Sequence, residues 1–121
     1  PEFEVATKGA RAALPAQVSH ADAAFNAGRS ALLVHAVTRA PEYLLAATED
    51  RLHQEPRRGM YVPSMDLVDR LRAQGIPAAI SGAGPTVIAL VSADEADAVV
   101  DMIGVDWTAR VLEIRAAGAG S

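Results

Sequence analysis

The sequence predicts an α+β fold in which helices cover one face of an antiparallel sheet. Apolar residues recur at helical spacing between residues 20 and 75. Two short apolar runs, Pro77–Ser81 and Thr86–Val91, flank the turn-forming segment Gly82-Ala83-Gly84-Pro85, as in a hairpin. Strand-like residues also stand near both ends, at Phe3-Glu4-Val5 and over Trp107–Arg115. The expected order is β-α-α-α-β-β-α-β.

The first strand spans Glu2–Thr7, and a turn with a short helix follows until Pro15 stops it. Ser19 is an N-cap with Asp22 at the capping-box position, so a long helix runs over His20–Ala40. Phe25, Leu32, Leu33, Ala36 and Val37 form its apolar stripe. Pro41 suits the first turn of a second helix, whose Leu44, Leu45, Thr48, Leu52 and His53 share a face down to about Gln54. Glu55-Pro56-Arg57-Arg58-Gly59 breaks that helix as a basic loop, and Met60–Pro63 is irregular. Ser64 caps a third helix that carries Leu67, Val68 and Leu71 and closes at Gly75. Beyond the hairpin, Ser92-Ala93-Asp94-Glu95 is a capping box for a helix with Ala96, Val99, Val100 and Ile103. Trp107–Arg115 is the last strand, and residues 116–121 read as a flexible tail.

Residues 1–121 make one domain, long enough to bury a core without metal or disulfide staples. Half the residues are hydrophobic but only 4% aromatic, so that core is built from Ala, Val, Leu and Ile. A net charge of −4 leaves no basic stripe for nucleic acid or for an anionic membrane surface. No apolar run reaches the ~18 residues of a membrane span, and no signal-peptide pattern is present. The absence of cysteine removes disulfide and thiolate chemistry and fits a cytoplasmic location. The chain opens at Pro1 close to strand-like residues, and therefore reads as a piece of a longer polypeptide.

Three polar elements are candidates for chemistry: Thr7 with Arg11, the Pro56-Arg57-Arg58 stretch, and the glycine loop. Arginine presents a planar fork that holds a carboxylate or phosphate bidentately, although an arginine on a surface loop is usually only solvated. The loop Ser81-Gly82-Ala83-Gly84-Pro85-Thr86 is either a plain hairpin turn or an anion-binding concavity of backbone N–H groups. It matches neither G-x-G-x-x-G nor G-x-x-x-x-G-K-[ST], so it licenses no dinucleotide or P-loop reading. His20, His35 and His53 lack metal-ligand spacing and read as packing or capping residues. Asp22, Asn26 and Arg29 read as side chains pairing along one helix surface. Asp94, Glu95 and Asp97 favour a helix dipole. No triad, carboxylate pair or general base stands out, so no catalytic residue is expected in this chain.

Four stretches, in order, resemble the C-terminal domain of the homoserine kinases of the GHMP (galactose, homoserine, mevalonate, phosphomevalonate) kinase superfamily. They are Thr7-x-x-x-Arg11 with Leu14-Pro15, Ser19–Arg29, Asp50-Arg51-Leu52-His53-Gln54 leading to Arg57, and Ser81-Gly82-Ala83-Gly84-Pro85-Thr86. Together they cover nearly the whole chain. Position 6 is Ala where the family often has Ser, and Pro56 replaces an aromatic, leaving Arg57 or Arg58 as the matching arginine. The superfamily's first two motifs, including the Pro-x-x-x-Gly-Leu-Gly-Ser-Ser-Ala phosphate loop, are missing.

The resemblance implies a ferredoxin-like sheet and transfer of the ATP γ-phosphoryl group to the hydroxyl of L-homoserine, a step of threonine biosynthesis. It implies Mg²⁺ as cofactor, with ATP and metal held mainly by an N-terminal domain that is this chain's own partner, and leaves a homodimer open. Arg11 and Arg57 would hold the homoserine carboxylate, with Thr7 near the reacting hydroxyl or phosphate. Ser81, Gly82, Ala83, Gly84 and Thr86 would lie by the phosphate loop, and both arginines would converge beside the 82–84 bend. By itself the fragment would be inactive. Two alternatives remain. One is another GHMP kinase, such as that acting on 4-diphosphocytidyl-2-C-methyl-D-erythritol, which the scarcity of base-stacking aromatics disfavours. The other is a non-enzymatic ferredoxin-like module that binds an amino acid.

Overall fold

The computed structural model describes residues 8–104 and 106–113. The chain divides after Leu90 into two units, residues 1–90 and 91–121. In the first unit, helix α1 covers residues 8–12 and α2 covers His20–Thr38. A 3-10 turn at Pro41–Tyr43 leads into α3, Leu44–Ala47. Helix α4, Gln54–Arg57, a second 3-10 turn at Arg58–Met60, and α5, Val62–Ala73, precede strands β1, Ala78–Ile80, and β2, Val87–Ala89.

Helix α2 starts where its cap signal stands: Ser19 Oγ accepts the Asp22 N–H at 3.1 Å. It packs on α3 and the turn before it. The buried positions there are alanines, Ala36, Ala40 and Ala47, whose small side chains allow close approach. Val37, expected in the stripe, faces solvent instead. Asp22, Asn26 and Arg29 do not pair with one another as expected. They reach across to Arg51, Asp50 and Glu49 respectively, because a short backward-turning segment brings residues 49–51 alongside α2.

The second helix does not run on to Gln54. It stops at Ala47, where the Thr48 hydroxyl bonds back to the Leu44 and Leu45 carbonyls. Arg72 closes the same end by donating to Thr48 Oγ1 at 2.6 Å and to the Leu45 carbonyl at 2.5 Å. Asp50 then restarts the helix as α4 by accepting the His53 and Gln54 N–H groups, each at 2.8 Å. The expected basic loop is thus α4 and a 3-10 turn. Pro56 is tolerated because it sits in the first turn, where no N–H is needed. Helix α5 also begins two residues before the expected cap, since Pro63 is pre-shaped for a first turn. Ser64 is instead buried, its hydroxyl donating to the Pro85 carbonyl at 2.6 Å.

Met65, Leu67, Val68 and Leu71 of α5 form the centre of this unit's core, against β1 and β2. The two strands are antiparallel, with Ala78 opposite Ala89, Ala79 opposite Ile88 and Ile80 opposite Val87. Ile80 turns its N–H away from β2, and the Gln54 side-chain oxygen accepts it at 2.7 Å. One edge of the hairpin is thereby tied to α4.

In the second unit, α6 spans Ala93–Met102 and buries Ala96 and Val99. Its cap differs from a capping box. Ser92 Oγ donates to the Glu95 carboxylate at 2.9 Å, and the Glu95 N–H goes to the Ser92 carbonyl. Residues 107–113, expected as strand, have no strand structure. A strand needs a neighbour for its N–H and C=O groups, and the described residues supply only the β1–β2 ladder. The expected first strand Glu2–Thr7 and the 116–121 tail lie outside the described residues. The α+β character stands on helices and one hairpin. No helix among the described residues is long and apolar enough to cross a membrane.

Candidate active site

A cleft of about 270 Å³ opens between α4 and the hairpin. Asp50, His53, Gln54 and Arg57 line it from the segment that restarts the helix, and Tyr61, β1 and Gly82 complete the wall. Gln54 and Arg57 stand on α4, while Asp50 and His53 come from the non-helical segment just before it.

Asp50 organises that surface. Besides the two backbone N–H groups, its carboxylate accepts the Asn26 amide at 2.8 Å and faces His53 Nδ1 at 2.9 Å. Asn26 in turn accepts the Arg51 N–H at 2.7 Å, so α2 holds the segment at two points. Burial raises the carboxyl's pKa. The hydrogen bonds from Gln54, Asn26 and His53 lower it by more, and the net effect takes it from 3.8 down to about 2. Asp50 is therefore ionised at neutral pH and can only accept hydrogen bonds.

Arg57 is the cleft's cation and is only 8% exposed. Its Nε donates to the Ala10 carbonyl at 2.8 Å, which aims the guanidinium and uses one of its five donors. No described carboxylate lies in ion-pair range of it. The other arginines nearby are spoken for. Arg58 donates to Glu55 and Asp69, which raise its pKa, and Arg72 is satisfied by Thr48, Leu45 and Ala78. A buried cation without an anion is costly unless something charged binds to it.

The hairpin tip is a tight turn. Gly84 N–H bonds the Ser81 carbonyl at 3.1 Å, and Ser81 N–H bonds the Thr86 carbonyl at 2.7 Å. Gly82 has φ +59° while Ala83 is not positive, the sign pattern of a type II′ turn with glycine in first place. Gly84 has φ +87°, and a Cβ there would lie 2.8 Å from Cζ of Tyr61. Tyr61 packs under this glycine and donates its hydroxyl to the Ala83 carbonyl. The N–H groups of Gly82 and Ala83 meet no acceptor among the described residues.

The cleft thus brings Arg57 and Gly82 together. Arg11 does not line it. Ala10 is the inward residue of α1, fully buried, and the next position on a helix projects about 100° away, so the Arg11 side chain is exposed. Thr7 lies outside the described residues. Ser81 and Thr86 are exposed and shape the turn through their backbone. Asp50, Gln54 and Tyr61 received no role from the sequence and His53 only that of a packing or capping residue, although Asp50, His53 and Gln54 belong to a stretch that carried the resemblance. Among the described residues no three His, Asp or Glu side chains gather. Asp50 is the cleft's carboxylate and its oxygens are already engaged, so these residues do not fit a Mg²⁺ site.

Residues 29–106 match the family model described as GHMP kinases C terminal. The homoserine kinase of Streptomyces coelicolor is 58% identical over 119 residues, covering 98% of this chain and 38% of that protein. That of Streptomyces avermitilis is also 58% identical, with 39% of its length covered. That of Mycobacterium tuberculosis is 51% identical over 90 residues, covering 74% of this chain and 28% of the relative. The chain thus spans well under half the length of these relatives. With the family match over most of its length and a glycine turn facing a buried arginine, the chain belongs to the GHMP kinase family, as a C-terminal domain.

Proposed function

We propose that this chain is the substrate-side domain of a homoserine kinase, which transfers the γ-phosphoryl group of ATP to the hydroxyl of L-homoserine for threonine synthesis. The observation that carries the reading is Arg57, a buried guanidinium with no carboxylate partner among the described residues, set in a small cleft beside Gly82. An amino-acid carboxylate supplies the missing anion through charge-assisted hydrogen bonds. Arg58, already shared by Glu55 and Asp69, is not the substrate contact. The N–H groups of Gly82 and Ala83, which meet no acceptor among the described residues, suit a phosphate oxygen.

Phosphoryl transfer relies on positioning and charge neutralisation, which fits a domain offering donors. ATP and Mg²⁺ belong to an upstream domain that packs on this one, so the 121-residue chain by itself turns over no ATP. The high identity to homoserine kinases supports this reading over another GHMP kinase or an amino-acid-binding module. The cysteine-free composition supports a cytoplasmic setting.

The test is Arg57→Ala in the full-length enzyme. Loss of one charged hydrogen bond, ~1.5–3 kcal/mol, raises the homoserine KM by roughly 10- to 150-fold and leaves the ATP KM within about threefold. Arg58→Ala is the control and changes neither. Equal rises in both KM values would remove the carboxylate role from Arg57.

A further inference from the structure

The hairpin tip holds its carbonyls and its N–H groups in opposite situations. The Ser81 carbonyl accepts the Gly84 N–H at 3.1 Å, and the Thr86 carbonyl accepts the Ser81 N–H at 2.7 Å. Two side chains engage carbonyls between those positions. Tyr61 donates its hydroxyl to the Ala83 carbonyl, and Ser64 donates its own to the Pro85 carbonyl at 2.6 Å. The N–H groups of Gly82 and Ala83 meet no acceptor among the described residues. The tip thus turns these oxygens into the protein and leaves two N–H groups to an anion.

Both hydroxyls stand at the start of α5, Tyr61 at its N-cap and Ser64 in its first turn. That end is firmly held. The Tyr61 carbonyl accepts the Ser64 and Met65 N–H groups at 3.0 and 3.1 Å, and Met65, Leu67, Val68 and Leu71 anchor the helix in the core. Ser64 is only 3% exposed, and its hydroxyl serves the tip rather than the helix end. The Tyr61 ring lies beneath Gly84, where a Cβ would come within 2.8 Å of Cζ. Ring and hydroxyl together therefore fix how closely the tip approaches α5. Ala83 sets the direction of its own N–H. Flipping the peptide between Gly82 and Ala83 would demand a positive φ at Ala83, which a Cβ disfavours.

We propose that Tyr61 and Ser64 are positioning residues for phosphoryl transfer, holding the tip so that the Gly82 and Ala83 N–H groups meet non-bridging oxygens of the γ-phosphoryl group. This rests on the homoserine kinase reading and names what keeps that site's donors in place. The acceptor oxygen bonds to the γ-phosphorus and its proton goes to solvent. The bond from that phosphorus to the β,γ-bridging oxygen breaks, and the electron pair leaves with ADP. Such a transfer is accelerated by positioning and by donors fixed in advance around the phosphoryl oxygens. A tip that must first be ordered supplies less. Tyr61 and Ser64 act only through the turn, because each hydroxyl is committed to a carbonyl of the tip.

The experiment uses the full-length enzyme with ATP and L-homoserine, comparing wild type with Tyr61→Phe, Ser64→Ala and the double variant. Phe keeps the ring beneath Gly84 and Ala keeps the helix, so only the hydroxyls are lost. Single-turnover rates are taken per folded enzyme. Each single variant should slow phosphoryl transfer about 10-fold and the double variant about 100-fold, the scale on which misplaced groups lose rate. Both KM values stay within about threefold. The rates are then repeated with ATPγS, whose transferred sulfur accepts N–H bonds less well than oxygen. The ratio of ATP to ATPγS rates should shrink by about threefold or more in the double variant, because the contact that sulfur weakens is already lost. Arg72→Ala, which loosens the fold at the far end of the hairpin, is the control and keeps both the rate and the ratio. A double variant with the wild-type rate, or a slower one with an unchanged ratio, overturns the proposal. So does an effect confined to the homoserine KM, which would tie the turn to substrate binding alone. A wild-type enzyme that leaves homoserine unphosphorylated overturns instead the reading beneath it.

Discussion

Asp50→Asn isolates the electrostatic contribution of the clasp between α2 and α4. The carboxyl falls from 3.8 to about 2 in the folded state, where the side chain is 17% exposed. At about 1.4 kcal/mol per pKa unit, the ionised form contributes ~2.4 kcal/mol of stability. Because the folded value lies below the unfolded one, this contribution is complete well above pH 3.8 and is lost as pH falls through about 2. At pH 3 roughly half, ~1.3 kcal/mol, remains by the same linkage. Urea unfolding of wild type and variant at pH 6 and pH 3 gives the stability difference at each. All other carboxylates are common to both proteins and cancel. The difference should shrink by ~1 kcal/mol on going to pH 3. A difference that stays the same at both pH values refutes the claim that hydrogen bonds to the ionised Asp50 hold this segment.

Two further outcomes concern stability. Gly84→Ala places a methyl against the Tyr61 ring at a positive φ, whereas Gly82→Ala at φ +59° meets open space. The first should cost ~2–4 kcal/mol and the second ~1–2 kcal/mol, read from urea midpoints. Equal losses would mean that Tyr61 does not buttress the turn. Arg72→Ala removes a partly buried guanidinium from Thr48, Leu45 and Ala78 and should cost about 3 kcal/mol. Arg58→Ala, on an exposed ion-pair cluster, should cost under ~1 kcal/mol. The reverse ranking in thermal or urea unfolding would overturn the distinction between these two arginines.

Local signals in the chain were legible wherever one residue type determines the backbone. Ser19 announces α2 because a hydroxyl there captures the Asp22 N–H. The hairpin follows from apolar runs on either side of two glycines that the turn requires. Asp50 was harder to read. It stands at the centre of a segment that looked like continuous helix by apolar spacing, and its capping role depends on Asn26, which is 24 residues away. Ser64 misled for the opposite reason: a good capping residue was drawn inside the helix by the Pro85 carbonyl, 21 residues distant. The strand expected at Trp107–Arg115 depends on neighbours that the described residues do not provide.

The family and its Gly-Ala-Gly-Pro turn were set by the chain alone, since turn glycines and helix caps act over a few residues. Which arginine enters the cleft was a different matter. Positions 57 and 58 are equivalent on paper. They separate only after folding, when Ala10 aims one guanidinium into the cleft while Glu55 and Asp69 hold the other at the surface. The orientation of His53 is likewise a product of tertiary contact. An imidazole gains a defined tautomer only from a fixed neighbour, and that neighbour, Asp50, is held in place by another helix.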